Sequence, residues 1–147
     1  MIEELHTIEA ITAALYATIS FAEGQTPNFD RLRLLFTAGA RLIHVNAQAT
    51  VVLPVEAFVT RFQNRLAAGE LVAFQERQIA ARIEHYGEIA HVFSTYEAVI
   101  VAPQGTQTGV RGINSIQLMW EQNRWWVVSL IWTDEQPGKN IPAEYLL

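Results

Sequence analysis

Four stretches hold the side chains best suited to chemistry: RLIHV with His44, IAHVFSTYEA with Ser94 and Tyr96, RGINSIQL with Asn114, and SLIWTDE with Trp132 and Asp134. In IAHVFSTYEA the residues of one strand parity are Ala90, Val92, Ser94 and Tyr96. Small and apolar companions mark that parity as an inward face, and a few polar groups on an apolar inward face are the usual composition of a ligand pocket. Asp134 keeps the parity of Trp132; partial burial raises a carboxyl pKa and suits it to act as a general base. Each residue also has a plainer role. Ser94 and Asn114 can bond backbone or water, Tyr96 and His44 can be satisfied core groups, and Asp134 and Glu135 can form a solvated strand end or pair with Arg111. The four histidines, His6, His44, His85 and His91, show no HxH or HExxH spacing, so no metal site is expected. There is no glycine-rich phosphate loop, no GxSxG elbow and no nucleophile with a neighbouring base.

The chain has 147 residues, enough for one domain that buries roughly 70% of its unfolded surface. It has no cysteine, which removes disulfides and thiol nucleophiles and favours a reducing cytoplasm. MIEELHTIEA carries acids where a signal peptide has bases, and no apolar run approaches the ~20 residues of a membrane span. The net charge is −5 and the ten basic residues are scattered, so no stripe is available to neutralise nucleic-acid phosphates.

The elements that must position the candidates follow from periodicity. Leu5, Ile8, Leu15, Ile19 and Ala22 space a first helix that stops near Gly24, with Glu3 and Glu4 favoured at the positive end of its dipole. Asn28 or Asp30 caps a second helix through Phe29, Leu32, Leu35 and Phe36, which Gly39 closes. A strand around RLIHV follows. Pro54 opens a third helix with the stripe Val55, Phe58, Val59, Phe62 and Leu66, ending before Gly69. From Phe74 onward, β-branched and aromatic runs separated by Gly- or Asn-containing turns predict a long antiparallel meander. Glu76, Arg77, Arg82 and Glu84 alternate in charge along its first strand and read as a solvent or interface face, with an internal Arg–Glu pair as the sharper alternative. For the last hairpin, a three-residue loop at Gln122 to Arg124 sets Trp120 opposite Trp126, Leu118 opposite Val128, Ile116 opposite Leu130 and Asn114 opposite Trp132. That register turns Trp126 and Trp132 inward and leaves Trp125, Val127, Ser129 and Ile131 on the outer face.

The stretches GEIAHVFSTYEA, RGINSIQL and RWWVVSLIW and the tail PGKNIPAEYLL, in this order of elements, resemble the nuclear transport factor 2-like superfamily over nearly the whole chain. The resemblance implies an α+β, cystatin-like cone: three N-terminal helices packed on the concave face of a curved, mainly antiparallel β-sheet, with a cavity between. It also implies acid–base chemistry by pocket Asp, His or Tyr without a cofactor in the isomerase and cyclase relatives, and it is consistent with homodimers. No catalytic motif of those enzymes maps onto this chain.

Residues 1–147 are expected to form one such domain, with 135–147 a docked tail too apolar (Ile141, Tyr145, Leu146, Leu147) to hang free. The expected ligand pocket comprises His44, Phe58, Phe62, Ser94, Tyr96, Asn114, Leu118 and Trp132, and Asp134, Tyr96 and His44 are the catalytic candidates. The leading expectation is binding of a small apolar molecule without cofactor. An isomerase, dehydratase or cyclase in the same pocket and an accessory subunit without ligand are the alternatives. The apolar parity Trp125, Val127 and Ile131 is expected to form a homodimer face.

Overall fold

A computed structural model describes residues 5–147; Glu3 and Glu4 lie outside the described residues. The order is α1 (Ile8–Ile19), α2 (Phe29–Leu34), β1 (Phe36–Val45), β2 (Thr50–Pro54), α3 (Val55–Ala67), β3 (Ala73–Tyr86), β4 (Ile89–Val101), β5 (Gln107–Glu121) and β6 (Arg124–Asp134). The six strands form one sheet in the order β2-β1-β6-β5-β4-β3, antiparallel throughout except for the β1–β6 pair. The protein is α+β, a curved sheet with three helices against its concave face. The core lies between them, from Ile11 and Leu15 of α1 and Val59 of α3 to Val92, Ile116 and Val127 of the sheet.

The Thr7 hydroxyl caps α1 by accepting from the Ala10 amide at 3.0 Å, and Glu9 stands in its first turn, where the helix dipole favours an acid. The helix ends at Ile19, earlier than the spacing through Ala22 implies. The next residues are drawn to β3, whose outer edge has no strand partner: Ser20 Oγ accepts from the Glu76 amide at 3.0 Å, and Phe21 and Phe74 exchange two backbone hydrogen bonds of 2.7 and 3.0 Å. Asn28 caps α2 through the Arg31 amide. Gly39 does not close that helix; α2 stops at Leu34 and the chain passes directly into β1, where Gly39 is a strand residue. The segment before Pro54 is a second short strand, for which the sequence pattern assigns no element, and Pro54 stands at the N-cap of α3.

The last hairpin differs from expectation near its turn. The loop has two residues, Gln122 and Asn123, both at positive φ (54° and 63°), so that Trp120 pairs with Trp125 and Leu118 with Val127. Two left-handed central residues match the right-handed twist of the flanking strands, whereas a three-residue loop needs only one. A bulge between the Leu118–Val127 and Gln117–Ser129 pairs then absorbs one residue, and beyond it Ile116 faces Leu130 and Asn114 faces Trp132. Trp125 and Val127 therefore point inward, 4% and 0% exposed, and Val128 outward. Trp126 lies on the outer face, its Nε1 donating to the Glu121 carbonyl at 2.9 Å and its ring 3.6 Å below the Arg124 guanidinium carbon. Of the expected outer trio Trp125, Val127 and Ile131, only Ile131 is outside.

Residues after β6 run back over the outer face. The Ile141 amide donates to Glu135 Oε2, Thr95 Oγ1 donates to the Tyr145 carbonyl at 2.6 Å, and the Tyr145 ring meets Phe93 edge-on beneath Arg82.

Candidate functional site

Between the helices and the sheet lies a cavity of about 250 Å³. An engineered void of about 150 Å³ holds benzene, so this space suits a ligand of one ring or two fused rings. One wall is a continuous aromatic run. His44 stacks on Trp132 (centroids 4.9 Å apart, planes 6° apart), Trp132 meets Phe58 edge-on at 6.3 Å, and Phe62 contacts Phe58 and Phe74 in the same way at 6.1 and 6.2 Å. Phe58 and Phe62 are brought to this wall by their four-residue spacing on α3.

The polar groups gather on the sheet side because strand register aligns them. Gln78, Tyr96, Gly112 and Asp134 make one row across β3 to β6; Ser94, Asn114, Trp132 and His44 make another across β4, β5, β6 and β1. In the first row the Tyr96 side chain lies over Gly112. A Cβ at position 112 would collide with the Tyr96 hydroxyl and the Thr133 carbonyl. The missing side chain lets the Tyr96 hydroxyl reach across β5 and donate to Asp134 Oδ1. Burial first, and then this bond to an anionic acceptor, hold the phenol protonated by raising its pKa. His44 Nε2 is 3.4 Å from Asp134 Oδ2 and, though buried, makes no aligned hydrogen bond.

The second row joins a chain of hydrogen bonds from α1. Ser94 Oγ donates to Gln78 Oε1 at 2.7 Å, so its single proton is committed and Tyr16 must donate across the 2.5 Å contact to Ser94. Asn114 Nδ2 donates to the Tyr16 oxygen at 3.0 Å and, at 3.4 Å, to Glu76 Oε2. Burial pushes the Tyr16 phenol up to about 12 and the Glu76 carboxyl up to about 7; Asp134 adds to the latter by like-charge repulsion, and Asn114 opposes it.

Of the sequence candidates, His44, Phe58, Phe62, Tyr96, Asn114, Trp132 and Asp134 stand on the cavity wall. Ser94 is fully buried behind Tyr16 and reaches the cavity only through it, and Leu118 belongs to the core beside Val127. Asp134 is bonded to Tyr96; the ion pair with Arg111 belongs to Glu135, at 3.0 Å. Glu76 is the functional group that sequence reasoning placed elsewhere. It faces the cavity, not the solvent, while its neighbour Arg77 pairs with Glu97 at the surface. Among the described residues no three His, Asp or Glu side chains are grouped to hold a metal ion, and no helix is long and apolar enough to cross a membrane.

No protein-family model and no curated protein matches the sequence. Solved structures share its fold. A protein from Novosphingobium aromaticivorans, provisionally assigned as an aromatic ring hydroxylase, superposes with a TM-score of 0.73 at 15% identity over 93% of this chain and 92% of that one. A provisionally assigned dehydratase of the NTF2-like family from Streptomyces avermitilis gives 0.67 at 13% identity over 89% and 95%. An NTF2-like protein from Prochlorococcus gives 0.66 at 18% identity over 88% and 91%. The chain thus has the nuclear transport factor 2-like fold, and its cavity occupies the space between the helices and the concave sheet.

Two outcomes follow from this geometry. Gly112→Ala should destabilise the protein by about 1–3 kcal/mol through overpacking, and Tyr96→Phe in the same chain should recover part of that loss; thermal melts of the two single variants and the double variant check it. Glu76 binds a proton more tightly folded than unfolded, so its contribution to stability is lost as pH rises from its ordinary value near 4.5 through about 7. Glu76→Gln should therefore stabilise the protein relative to the parent at pH 8, by on the order of 2 kcal/mol, and by much less at pH 5, as urea melts at the two pH values will read.

Proposed function

We propose that this protein binds a small, mainly apolar ring compound in the cone cavity without a cofactor. The observation that carries the reading is a cavity of about 250 Å³ with an aromatic wall on one side and the polar groups of Glu76, Asn114 and Asp134 gathered on the other. Burying the ring against Phe58, Phe62 and Trp132 supplies affinity at roughly 25 cal/mol per Å² of apolar surface, and the polar side orients it. In this reading His44, Phe58, Phe62, Tyr96, Asn114 and Trp132 contact the ligand, while Ser94 supports it through Tyr16 and Leu118 supports the sheet beneath.

A second reading is favoured by one observation, the Glu76 carboxyl held near 7 opposite Asp134. A carboxyl poised there exchanges protons at neutral pH, so the pocket suits cofactor-independent isomerisation, dehydration or cyclisation of a carbonyl compound. Glu76 takes the proton next to the carbonyl, and His44 Nε2, which has no aligned partner, donates to the developing oxyanion. The solved neighbour assigned as an aromatic ring hydroxylase agrees with a ring compound as the class of ligand, and neither it nor the neighbour assigned as a dehydratase chooses between the readings.

We also propose a cytoplasmic homodimer joined through the outer face of the sheet, where Val128 and Ile131 are 37% and 40% exposed. Light scattering at micromolar concentration should give twice the chain mass, and Ile131→Lys should lower it; a parent chain that stays monomeric contradicts the assembly.

Ligand-observed NMR with phenol, indole and 2-indanone tests the site. All three should bind competitively, and Ala98→Leu, which fills the cavity from its wall, should weaken each by about tenfold. No binding, or equal binding by Ala98→Leu, refutes the site. Exchange of the 2-indanone α-protons into deuterated water, rising with pH through about 7 and lost in Glu76→Gln, selects the second reading; exchange at the buffer rate selects the first.

A further inference from the structure

This inference rests on the reading of the cavity as a small-molecule site and names the chemistry of its ligand. We propose that the polar side of the cavity recognises a hydrogen-bond donor, and that the ligand is a small ring compound bearing a protonated amine.

The hydrogen-bond donors on the polar side of the cavity are largely committed to partners within the protein. Tyr16 donates to Ser94, Ser94 to Gln78, and Tyr96 to Asp134 and the Thr133 carbonyl. Asn114 Nδ2 carries two hydrogens and donates both, to Tyr16 and Glu76. Every one of these donors is satisfied within the protein. Apart from His44 Nε2, the unmatched valences are acceptors: among the described residues, Glu76 Oε1 and Asn114 Oδ1 have no hydrogen-bond partner, and Asp134 Oδ2 has only His44 at 3.4 Å. A carbonyl ligand finds one candidate donor, His44 Nε2; an N–H or O–H finds three oxygens.

Charge narrows the class further. Two carboxylates line the cavity, and its single guanidinium, Arg65, is held by Glu70 at 3.4 Å. The groups that face Glu76 are Tyr16 from α1, Tyr96 from β4, Asn114 from β5 and Asp134 from β6; Arg65 on α3 and His44 on β1 line the same space. None of those facing groups is a cation. An ammonium placed between Glu76 and Asp134 turns their repulsion into two attractions, and its ring lies along the Trp132 and Phe58 faces, where a neighbouring positive charge is favoured by the π quadrupole. A carboxylate ligand meets like charge twice.

The sign of the pH response separates the amine from a neutral ligand. Below about 7 Glu76 is protonated and gives an ammonium no counter-charge; above it the anion is available, so amine affinity rises with pH while that of a neutral alcohol does not. Calorimetric titration of the full chain with 2-phenylethylammonium, 2-phenylethanol and phenylacetate at pH 6 and pH 8 tests this with three probes of nearly one shape. At pH 8 the ammonium should bind about tenfold tighter than the alcohol and phenylacetate weaker than either, with the ammonium advantage shrinking at pH 6. Glu76→Gln, which removes the charge but keeps an oxygen as acceptor, should shrink the advantage at pH 8 to the part that Asp134 supplies, lowering ammonium affinity by more than 2-phenylethanol affinity. An alcohol that binds as tightly as the ammonium to the parent chain at pH 8 overturns the inference, as does an advantage that is undiminished in Glu76→Gln. The comparison on the parent chain decides even where the variant fails to fold. Absence of binding by all three probes overturns the cavity reading itself, and the amine with it.

Discussion

The Tyr16 hydroxyl organises the rest of the molecule. A phenol taken out of water without a partner costs several kcal/mol, so its position must be one where the sheet offers both an acceptor and a donor. Ser94 and Asn114, adjacent across β4 and β5, provide them. That requirement fixes the rotation of α1 about its axis and its height over the sheet, and Ser20 and Phe21, one helical turn further on, then fall at the free edge of β3 and close it. The same bonds keep α1 from settling flat on the sheet. Polar atoms stand between α1 and the strands there, and the apolar residues around them line a space they do not fill.

Given that frame, cross-strand register does the remaining positioning. Tyr96 and Asp134 sit on strands that are not neighbours, with β5 between them, and ordinary side chains at all four positions of that row would hold the hydroxyl and the carboxylate apart. Gly112 removes the obstruction. The phenol then lies in the groove over a bare backbone, and Asp134 is turned toward the cavity instead of out along the strand end, where Glu135 takes up Arg111. Two consecutive acids thus enter different environments for a purely geometric reason.

The three helices, the succession of long strands from β3 to β6, the inward parity of β4 and the aromatic stripe of α3 were legible because each is a local periodicity, whereas β2 is too short to show one and the end of α1 is set by its contact with β3. What was not legible turns on single-residue irregularities. The bulge near Val128 reverses parity along β6, so the assignment of Trp132 and Leu130 holds on one side of it while that of Trp125, Trp126 and Val127 inverts on the other. Its partner in the misreading is a left-handed pair at Gln122-Asn123, which lacks the Asn-Gly or Gly-Gly that usually marks such a turn. Glu76 was hidden in the same way. It shares numerical parity with Arg82 and Glu84, yet a shift between Gln78 and Ala80 puts a face change between them. The available signal was Phe74, two residues before Glu76 and apolar, which marks the parity that looks inward ahead of the bulge.

These irregularities and the site coincide for a physical reason. A sheet of perfect alternation divides its faces into apolar and polar, leaving no acid inside. Bulges at Gln78/Ala80 and Gln117/Leu118 break the alternation on β3 and between β5 and β6, and glycine at 112 breaks the side-chain layer between them. The unfavourable terms of the structure collect at the same place: a desolvated carboxyl, two desolvated phenols and an unmatched histidine nitrogen. A core selected for stability alone would replace Glu76, Tyr16, Asn114 and Asp134 by aliphatic residues and fill the cavity. The satisfied frame around Tyr16 holds those groups in place at a cost in stability, and in the proposed reading a ligand that answers the acceptors left open there offsets that cost.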